Sequence, residues 1–334
     1  MTTESFCNMV WDLSYSKVLK SISKSDYKEF IIPKKNGVRK INYLPKTSMF
    51  FSVQKGLARY LEKQEYPTCV KGFRKGENYL SYLEPHVGAK YFLRVDIKDF
   101  FPSITVDIIK NELLNHLSFD SENDKKQILD LVSNIATLND IVPQGAPCSP
   151  IISNFIMVRI DQRISKYCQA LGICYTRYAD DLLFSSTGFN FKDKKWFLKK
   201  IKYILLSKQF KVNYSKIKHG DKEISLNGYV VSNDGIRLSR DRIFDVRKTI
   251  AYSKNNYRMA KNNPEVFLQG ANTIELRHRD LASFPYKTIY QFIQFLCGYR
   301  AYLLSFLNYD IDPLFAKKVV KLVNNIEEQI KKYY

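Results

Sequence analysis

Three carboxylates stand where carboxylates can do chemistry. Asp96 falls within Tyr91–Ile97, whose alternation puts Leu93, Val95 and Ile97 on one face and Arg94 with Asp96 on the other. It therefore projects from the polar face of a half-buried strand. Asp180 and Asp181 lie between two short apolar runs, Ile173–Arg177 and Leu182–Ser186, in the turn Tyr178-Ala179-Asp180-Asp181 of a predicted β-hairpin. Adjacent acids in aromatic and apolar surroundings are costly unless something cationic sits between them. A third acid arriving from another strand makes an oxygen-rich set, which suits Mg²⁺ better than zinc. Two such ions about 4 Å apart would stabilise the attacking and leaving oxygens of an in-line phosphoryl transfer. Taken alone, Asp180-Asp181 fits a solvent-exposed capped turn more simply, because Asp is common there.

The flanking segments must hold these acids in place. Residues 1–30 read as amphipathic helix. Lys34-Lys35-Asn36-Gly37 is a turn signal between Ile31-Ile32 and Val38–Tyr43, which predicts a basic hairpin. Phe51, Val53, Leu57, Tyr60 and Leu61 carry helical spacing over 48–64. Pro102 and Ser103 stop the Asp96 strand, and Ile109, Leu113, Leu114 and Leu117 mark a helix after it. Pro143–Pro150 is a turn-rich loop leading into an apolar helix from Ile151 to about Ala170. A hairpin is expected over 223–238 around Ser232-Asn233-Asp234-Gly235, and helix from about 240 onward.

Composition narrows the partners. The 334 residues hold 53 Lys and Arg against 33 Asp and Glu, a formal net charge of +20. Residues 192–222 carry eleven Lys against two Asp, and 237–300 carry twelve basic residues against five acids. Such an excess points to a polyanion, either nucleic acid or an anionic membrane surface. A hydrophobic fraction of 45% with 14% aromatics excludes a disordered chain. No apolar run is long enough for a membrane span, and Met1–Phe6 lacks the features of a signal peptide. The six cysteines form no C-x-x-C pair and the four histidines are dispersed, so reduced buried thiols in a cytoplasmic protein are expected rather than a zinc site.

Three segments, in order, carry a resemblance. Tyr178-Ala179-Asp180-Asp181 resembles the Y-x-D-D core of reverse transcriptases, and Asp96-Ile-Lys-Asp-Phe-Phe-Pro-Ser-Ile104 resembles the first catalytic motif of that family. Pro143-Gln-Gly-Ala-Pro-Cys-Ser-Pro-Ile-Ile-Ser-Asn154 resembles the segment between them. The likeness extends from roughly Ile31 to Arg240 and is strongest to bacterial retron-type enzymes. Ile32–Gly37, Val70-Lys71-Gly72-Phe73 and Asp99–Ile104 are similar to segments of that group. Two departures stand out: Tyr82–His86 keeps only the His of an Asn-Ala-x-x-His segment, and Leu226-Asn227-Gly228 replaces Val-Thr-Gly. Other defence-associated reverse transcriptases therefore stay open. His86 itself reads as a structural, hydrogen-bonded histidine.

The resemblance implies an α+β right-hand polymerase fold. N-terminal helices and fingers would occupy 1–90, a first palm part 91–139, and a fingers and palm helix segment 140–175. The catalytic hairpin and primer grip would occupy 176–239, and a helical thumb 240–334. It further implies that Asp96, Asp180 and Asp181 hold two Mg²⁺ ions. Arg39, with Lys34 or Lys35, would neutralise the incoming triphosphate. Gln144 and Gly145 would lie beside the nucleotide sugar and templating base. Phe101 would pack under the sugar and exclude a 2′-hydroxyl, unless it is an ordinary core aromatic. Lys216, or its competitor Lys218, would protonate the leaving pyrophosphate. Asn227, Gly228 and Tyr229 would grip the primer end, Gly228 admitting a sugar-phosphate backbone. Arg240, Arg242, Arg247 and Lys248 would bind nucleic acid, with thumb tyrosines stacking on bases or buried in the thumb.

The implied activity is RNA-directed DNA synthesis on a dedicated structured non-coding RNA, using deoxynucleoside triphosphates. The implied product is a bound RNA–DNA hybrid used in anti-phage defence with an effector protein. No RNase H or endonuclease constellation is visible after residue 240, so RNA removal would fall to a host RNase H. The other classes left open are a non-catalytic RNA-binding scaffold on the same fold and an untemplated or protein-primed polymerase.

Overall fold

The computed structural model describes residues 1–34, 37–277, 285–309 and 311–333. The chain divides into two compact units. The first comprises Met1–Tyr82, Leu93–Phe184 and Phe189–Lys218, and the second Leu83–Phe92, Ser185–Gly188 and His219–Tyr334.

The first unit opens with helices α1 (Thr3–Trp11) and α2 (Tyr15–Lys20). Thr2 caps α1 by accepting from the Ser5 amide at 3.1 Å. The helical expectation for 1–30 ends early, because strand β1 (Lys28–Lys34) has already begun. It pairs antiparallel with β2 (Gly37–Tyr43), in the register Ile32 opposite Arg39. Helix α3 (Met49–Glu62) buries Val53, Leu57 and Leu61 of the expected stripe, with Phe50 in place of Phe51, while Phe51 and Tyr60 are half-buried. After the short helix α4 (Tyr79–Leu83) comes β3 (Tyr91–Lys98), then α5 (Val106–Leu114), α6 (Glu122–Ala136) and the long α7 (Ser149–Gln169).

Strands β4 (Cys174–Tyr178) and β5 (Asp181–Ser186) follow, with α8 (Lys195–Leu206) and β6 (Lys211–Val212). The order β4-β5-β3-β6 puts β3 in the interior of the sheet, with β6 antiparallel to it through Ile97 and Val212. The polar face expected for β3 is not solvated: Asp96 is 2% exposed and Arg94 largely covered, while Leu93, Val95 and Ile97 are buried on the other face. A strand covered on both sides loses the meaning that alternation has at a surface.

The second unit contains β7 (Lys218–Asp221) and a meander of β8 (Glu223–Leu226), β9 (Tyr229–Ser232) and β10 (Gly235–Leu238), all antiparallel. Two tight turns serve it, Asn227-Gly228 and Asn233-Asp234, where the spacing had suggested one hairpin around the second. Helices α9 (Arg240–Asn255), α10 (Tyr257–Asn262), α11 (Pro264–Asn272), α12 (Ile289–Ser305) and α13 (Pro313–Tyr333) complete it. Ser239 caps α9 through the Arg242 amide at 3.3 Å. No described helix is long and apolar enough to cross a membrane.

Candidate active site

The two strands bearing the acids lie side by side, and the Ile97 amide donates to the Asp180 carbonyl at 3.0 Å. The turn is tighter than expected. Only Ala179 and Asp180 lie between β4 and β5, so Asp181 is the first residue of a strand and is itself buried. Ala179 takes the left-handed conformation, φ 56°, that a two-residue turn demands.

Each acid has a distinct environment. Asp96 sends one oxygen to the Lys216 ammonium at 3.0 Å, while its other oxygen, Oδ1, is buried without a hydrogen-bond partner. Asp181 accepts from Arg94 through both Nε and Nη2, at 2.8 and 2.5 Å. Burial pushes the Asp180 carboxyl upward, and the neighbouring Asp96 charge adds to the rise. Burial also raises Asp181, with Arg94 pulling the other way. The cations expected between the acids are thus partly supplied by the chain, from Arg94 and Lys216.

Among the described residues, no three His, Cys, Asp or Glu side chains already form a ligand cluster, and two of the acids are paired, Asp181 with Arg94 and Asp96 with Lys216. The donor set nonetheless fits a hard divalent cation. It is all carboxylate, its members raise one another's affinity for positive charge, and Asp96 Oδ1 is a buried acceptor with nothing to accept from.

An aromatic wall runs beside the hairpin. Phe101 packs on Phe73 at 6.3 Å, Phe73 on Tyr178 at 6.3 Å, and Tyr178 on Tyr79 at 5.1 Å. Phe100, at 4% exposure, is the core member of the pair, while Phe101 is only half-buried. Phe73, which the resemblance includes without giving it a role, is 39% exposed and held at φ 59°.

The hairpin is also fixed from behind by groups that sequence inspection took for an apolar helix. On α7, Asn154 donates to the Gly72 carbonyl at 2.9 Å, and Asp161 binds Arg177 at 2.7 Å. Asn154 and Asp161 are seven residues apart, hence on one face, and both are completely buried. Gly72 is required by close approach: a Cβ there would stand 2.5 Å from the Ala179 nitrogen.

Gln144 and Gly145 meet the first hairpin. The Asn42 amide donates to the Gln144 carbonyl at 2.8 Å, and Gly145 lies against Ile41. Arg39 is exposed on β2. Lys35 lies outside the described residues.

The remaining expected site residues belong to the second unit. Asn227 and Gly228 form the turn between β8 and β9, with φ 50° and 89°. The space a Gly228 side chain would take is filled by Arg242, 2.5 Å from the notional Cβ, so the glycine makes room for an arginine. Tyr229 stacks on Phe306 at 5.5 Å and meets Tyr302 edge-on. Arg240 and Arg247 are exposed, whereas Lys248 bonds the Glu275 carbonyl at 3.3 Å and covers the Phe244 ring. Of the thumb tyrosines, Tyr286 and Tyr299 are buried and Tyr290 is exposed. His86 is buried, its Nδ1 2.7 Å from Ser185 Oγ.

Residues 32–231 match the family of reverse transcriptases, RNA-dependent DNA polymerases. The chain is 28% identical over 230 residues to the retron Ec86 reverse transcriptase of Escherichia coli, covering 67% of this chain and 69% of that one. It is 33% identical over 173 residues to the retron Mx162 reverse transcriptase of Myxococcus xanthus, covering 48% and 36%. A telomerase structure from Candida albicans superposes with a TM-score of 0.48 at 13% identity, over 92% of this chain and 63% of that one. The α+β class is accordingly that of the right-hand polymerases, in a family that works with divalent metal ions. The chain belongs to the reverse transcriptase family and is of the retron type.

Proposed function

We propose that this chain copies a dedicated structured RNA into DNA and keeps the RNA–DNA product bound. The observation that carries the reading is the pairing of the Asp96 strand with the Asp180-Asp181 hairpin, where a buried Asp96 oxygen and two raised carboxyls wait for cationic charge. Asp96, Asp180 and Asp181 would hold Mg²⁺, two ions per site; bound there, the metal supplies positive charge for phosphoryl transfer. The chain's own residues orient the reactants. A primer hydroxyl, giving its proton to solvent, attacks the α-phosphorus of a deoxynucleoside triphosphate; the new P–O bond forms the phosphodiester as the bond to the β-phosphate breaks and pyrophosphate leaves. Lys216, half-exposed beside Asp96, is the cation best disposed to give that leaving group a proton. Arg39, with Lys35, would meet the triphosphate, and Phe101 with Phe73 would wall the sugar.

Residues 1–90 and 140–175 act as fingers, the sheet as palm, and the helices after 240 as thumb, in this assignment. Similarity to retron enzymes further suggests an anti-phage role with an effector protein, host RNase H for template removal, and a cytoplasmic site of action. The test is direct. Nucleic acid copurifying with the protein is sequenced before and after RNase and DNase treatment, and extension is assayed on RNA and on DNA templates. An RNA joined to its DNA copy supports the reading. A chain that binds RNA but incorporates no deoxynucleotide with any divalent ion would be a scaffold.

A further inference from the structure

Arg177 is completely buried, as is its partner Asp161. The guanidinium is spent on two groups. Nε lies 2.9 and 3.0 Å from the two Asp161 oxygens and Nη2 is 2.7 Å from Oδ2, while Nη1 donates to the Ala179 carbonyl at 3.0 Å. Tyr175 adds its hydroxyl to Asp161 at 2.8 Å. A buried ion pair is a poor way to gain stability, since apolar residues of equal volume often serve as well. What apolar residues cannot do is hold a carbonyl.

That carbonyl belongs to the residue before Asp180. Ala179 sits at φ 56°, a conformation that L-residues adopt only rarely. It persists only when its surroundings over-determine it. Its carbonyl is tied to Arg177, and its amide faces the Gly72 backbone with no room for a methyl group between them. Gly72 is in turn held by Asn154, and the Lys71 amide donates to the Arg177 carbonyl at 2.8 Å. Release of the carbonyl would let the turn relax and re-aim Asp180 and Asp181 together.

We propose that Arg177, anchored by Asp161, is a positioning residue that locks the Ala179 turn and thereby sets the aim of the two hairpin acids. The proposal rests on the polymerase reading for its catalytic consequence, but not for its geometric one. A misplacement of about 1 Å at reacting groups costs roughly 100-fold in rate. Loss of the groups that orient metal ligands costs about 10–100-fold in metal affinity.

The test uses the full chain and two variants, Arg177→Lys and the double variant Asp161→Leu with Arg177→Met. Each is measured for melting temperature, RNA binding, Mn²⁺ binding by paramagnetic resonance without nucleotide, and kcat and KM for a deoxynucleotide. The lysine keeps the charge, but one ammonium cannot reproduce the planar fork that spans Asp161 and Ala179. The double variant keeps the volume and removes both charges. The expected result for each folded variant is Mn²⁺ binding weakened about tenfold and kcat lowered about 100-fold, with KM and RNA binding near wild type. Wild-type Mn²⁺ affinity and kcat in a folded double variant would reduce the pair to core filling and overturn the proposal. Should that variant not fold, full activity of Arg177→Lys overturns it equally. If the wild type makes no DNA, the polymerase reading fails, while the Mn²⁺ comparison still decides the role of Arg177.

Discussion

Arg94 grips a single oxygen of Asp181 through two guanidinium nitrogens, at 2.8 and 2.5 Å. Both side chains are about nine-tenths buried, so this is an ion pair with little solvent screening. Removing one partner of such a pair leaves an uncompensated buried charge, at a cost of about 3–5 kcal/mol. Arg94→Met should therefore lower the melting temperature in metal-free buffer. Saturating Mg²⁺ should then raise it by more than in the wild type, since the ion replaces the lost counter-charge. Scanning fluorimetry with and without the ion checks this; equal shifts in both proteins would mean that Asp181 is not a ligand.

Asp180 makes the opposite trade. Burial and Asp96 raise its carboxyl, so the folded chain holds that proton to higher pH than the unfolded chain does. Its favourable contribution is present at acid pH and is lost as pH rises from the ordinary carboxylate range to the folded value. Above that value the ionised group weakens the fold. Asp180→Asn should end DNA synthesis, leave RNA binding intact, and melt about 2 °C higher at neutral pH without metal. Near pH 4 the difference should vanish. A variant that still polymerises, or that melts lower, would remove Asp180 from the charged cluster.

Most of this site was legible in sequence because its chemistry is local. Alternation placed Asp96 on a strand, and two apolar runs around Tyr178–Asp181 made a hairpin. What was not legible is what side chains do across the fold. Arg94 looked like an ordinary polar-face residue, yet it is the counter-ion of Asp181 from 87 positions away. Arg242 packs against Gly228 from another element, a contact no periodicity could reveal. The roles of Asn154 and Asp161 on the helix at 151–170 lie in Gly72 and Arg177 on other segments, which local spacing does not carry.

Geometry separates two lysines that sequence left in competition. Lys216 Nζ is 3.0 Å from Asp96, while Lys218 is exposed on the next strand. Lys216→Ala should lower kcat by about 100-fold, the scale of one general acid, with little change in KM. Lys218→Ala should leave kcat within about twofold. Pre-steady-state incorporation by each variant distinguishes them. The reverse ranking would transfer the role to Lys218.

The basic residues expected to bind nucleic acid also divide. Arg240 and Arg247 are exposed, and Arg247 shares a groove of about 310 Å³ with Lys254, Lys318 and Lys321 over Ile250 and Leu322. Replacing Arg240 and Arg247 by Ala should flatten the dependence of log affinity on log salt by about 1.4 for single-stranded RNA, two phosphate contacts' worth. Arg242→Ala should instead lower the melting temperature and leave the slope alone, because its side chain packs against Gly228. Filter binding over a salt series measures both. A slope that changes with Arg242 but not with the other two would invert the assignment.

Sugar selection is the last test, and it concerns two rings. Phe101 is half-buried and leans on Phe73, which is exposed and fixed at a positive φ. If the Phe101 ring occupies the volume a 2′-hydroxyl needs, Phe101→Ala should admit ribonucleotides and collapse the deoxy-over-ribo preference. Because the ring is only partly buried, the stability cost should fall below the 3–5 kcal/mol of a core Phe→Ala change, at about 1–2 kcal/mol. Phe73→Ala removes the ring behind it and should loosen the same preference more weakly, since Phe101 keeps its place against Phe100 at 5.5 Å. Single-nucleotide kinetics with matched dNTP and rNTP on one RNA template give the ratio for each variant. If Phe101→Ala slows both substrates in proportion, the ring supports the turn around Asp99 and the gate lies elsewhere; if Phe73→Ala alone opens the ratio, the exposed ring is the gate.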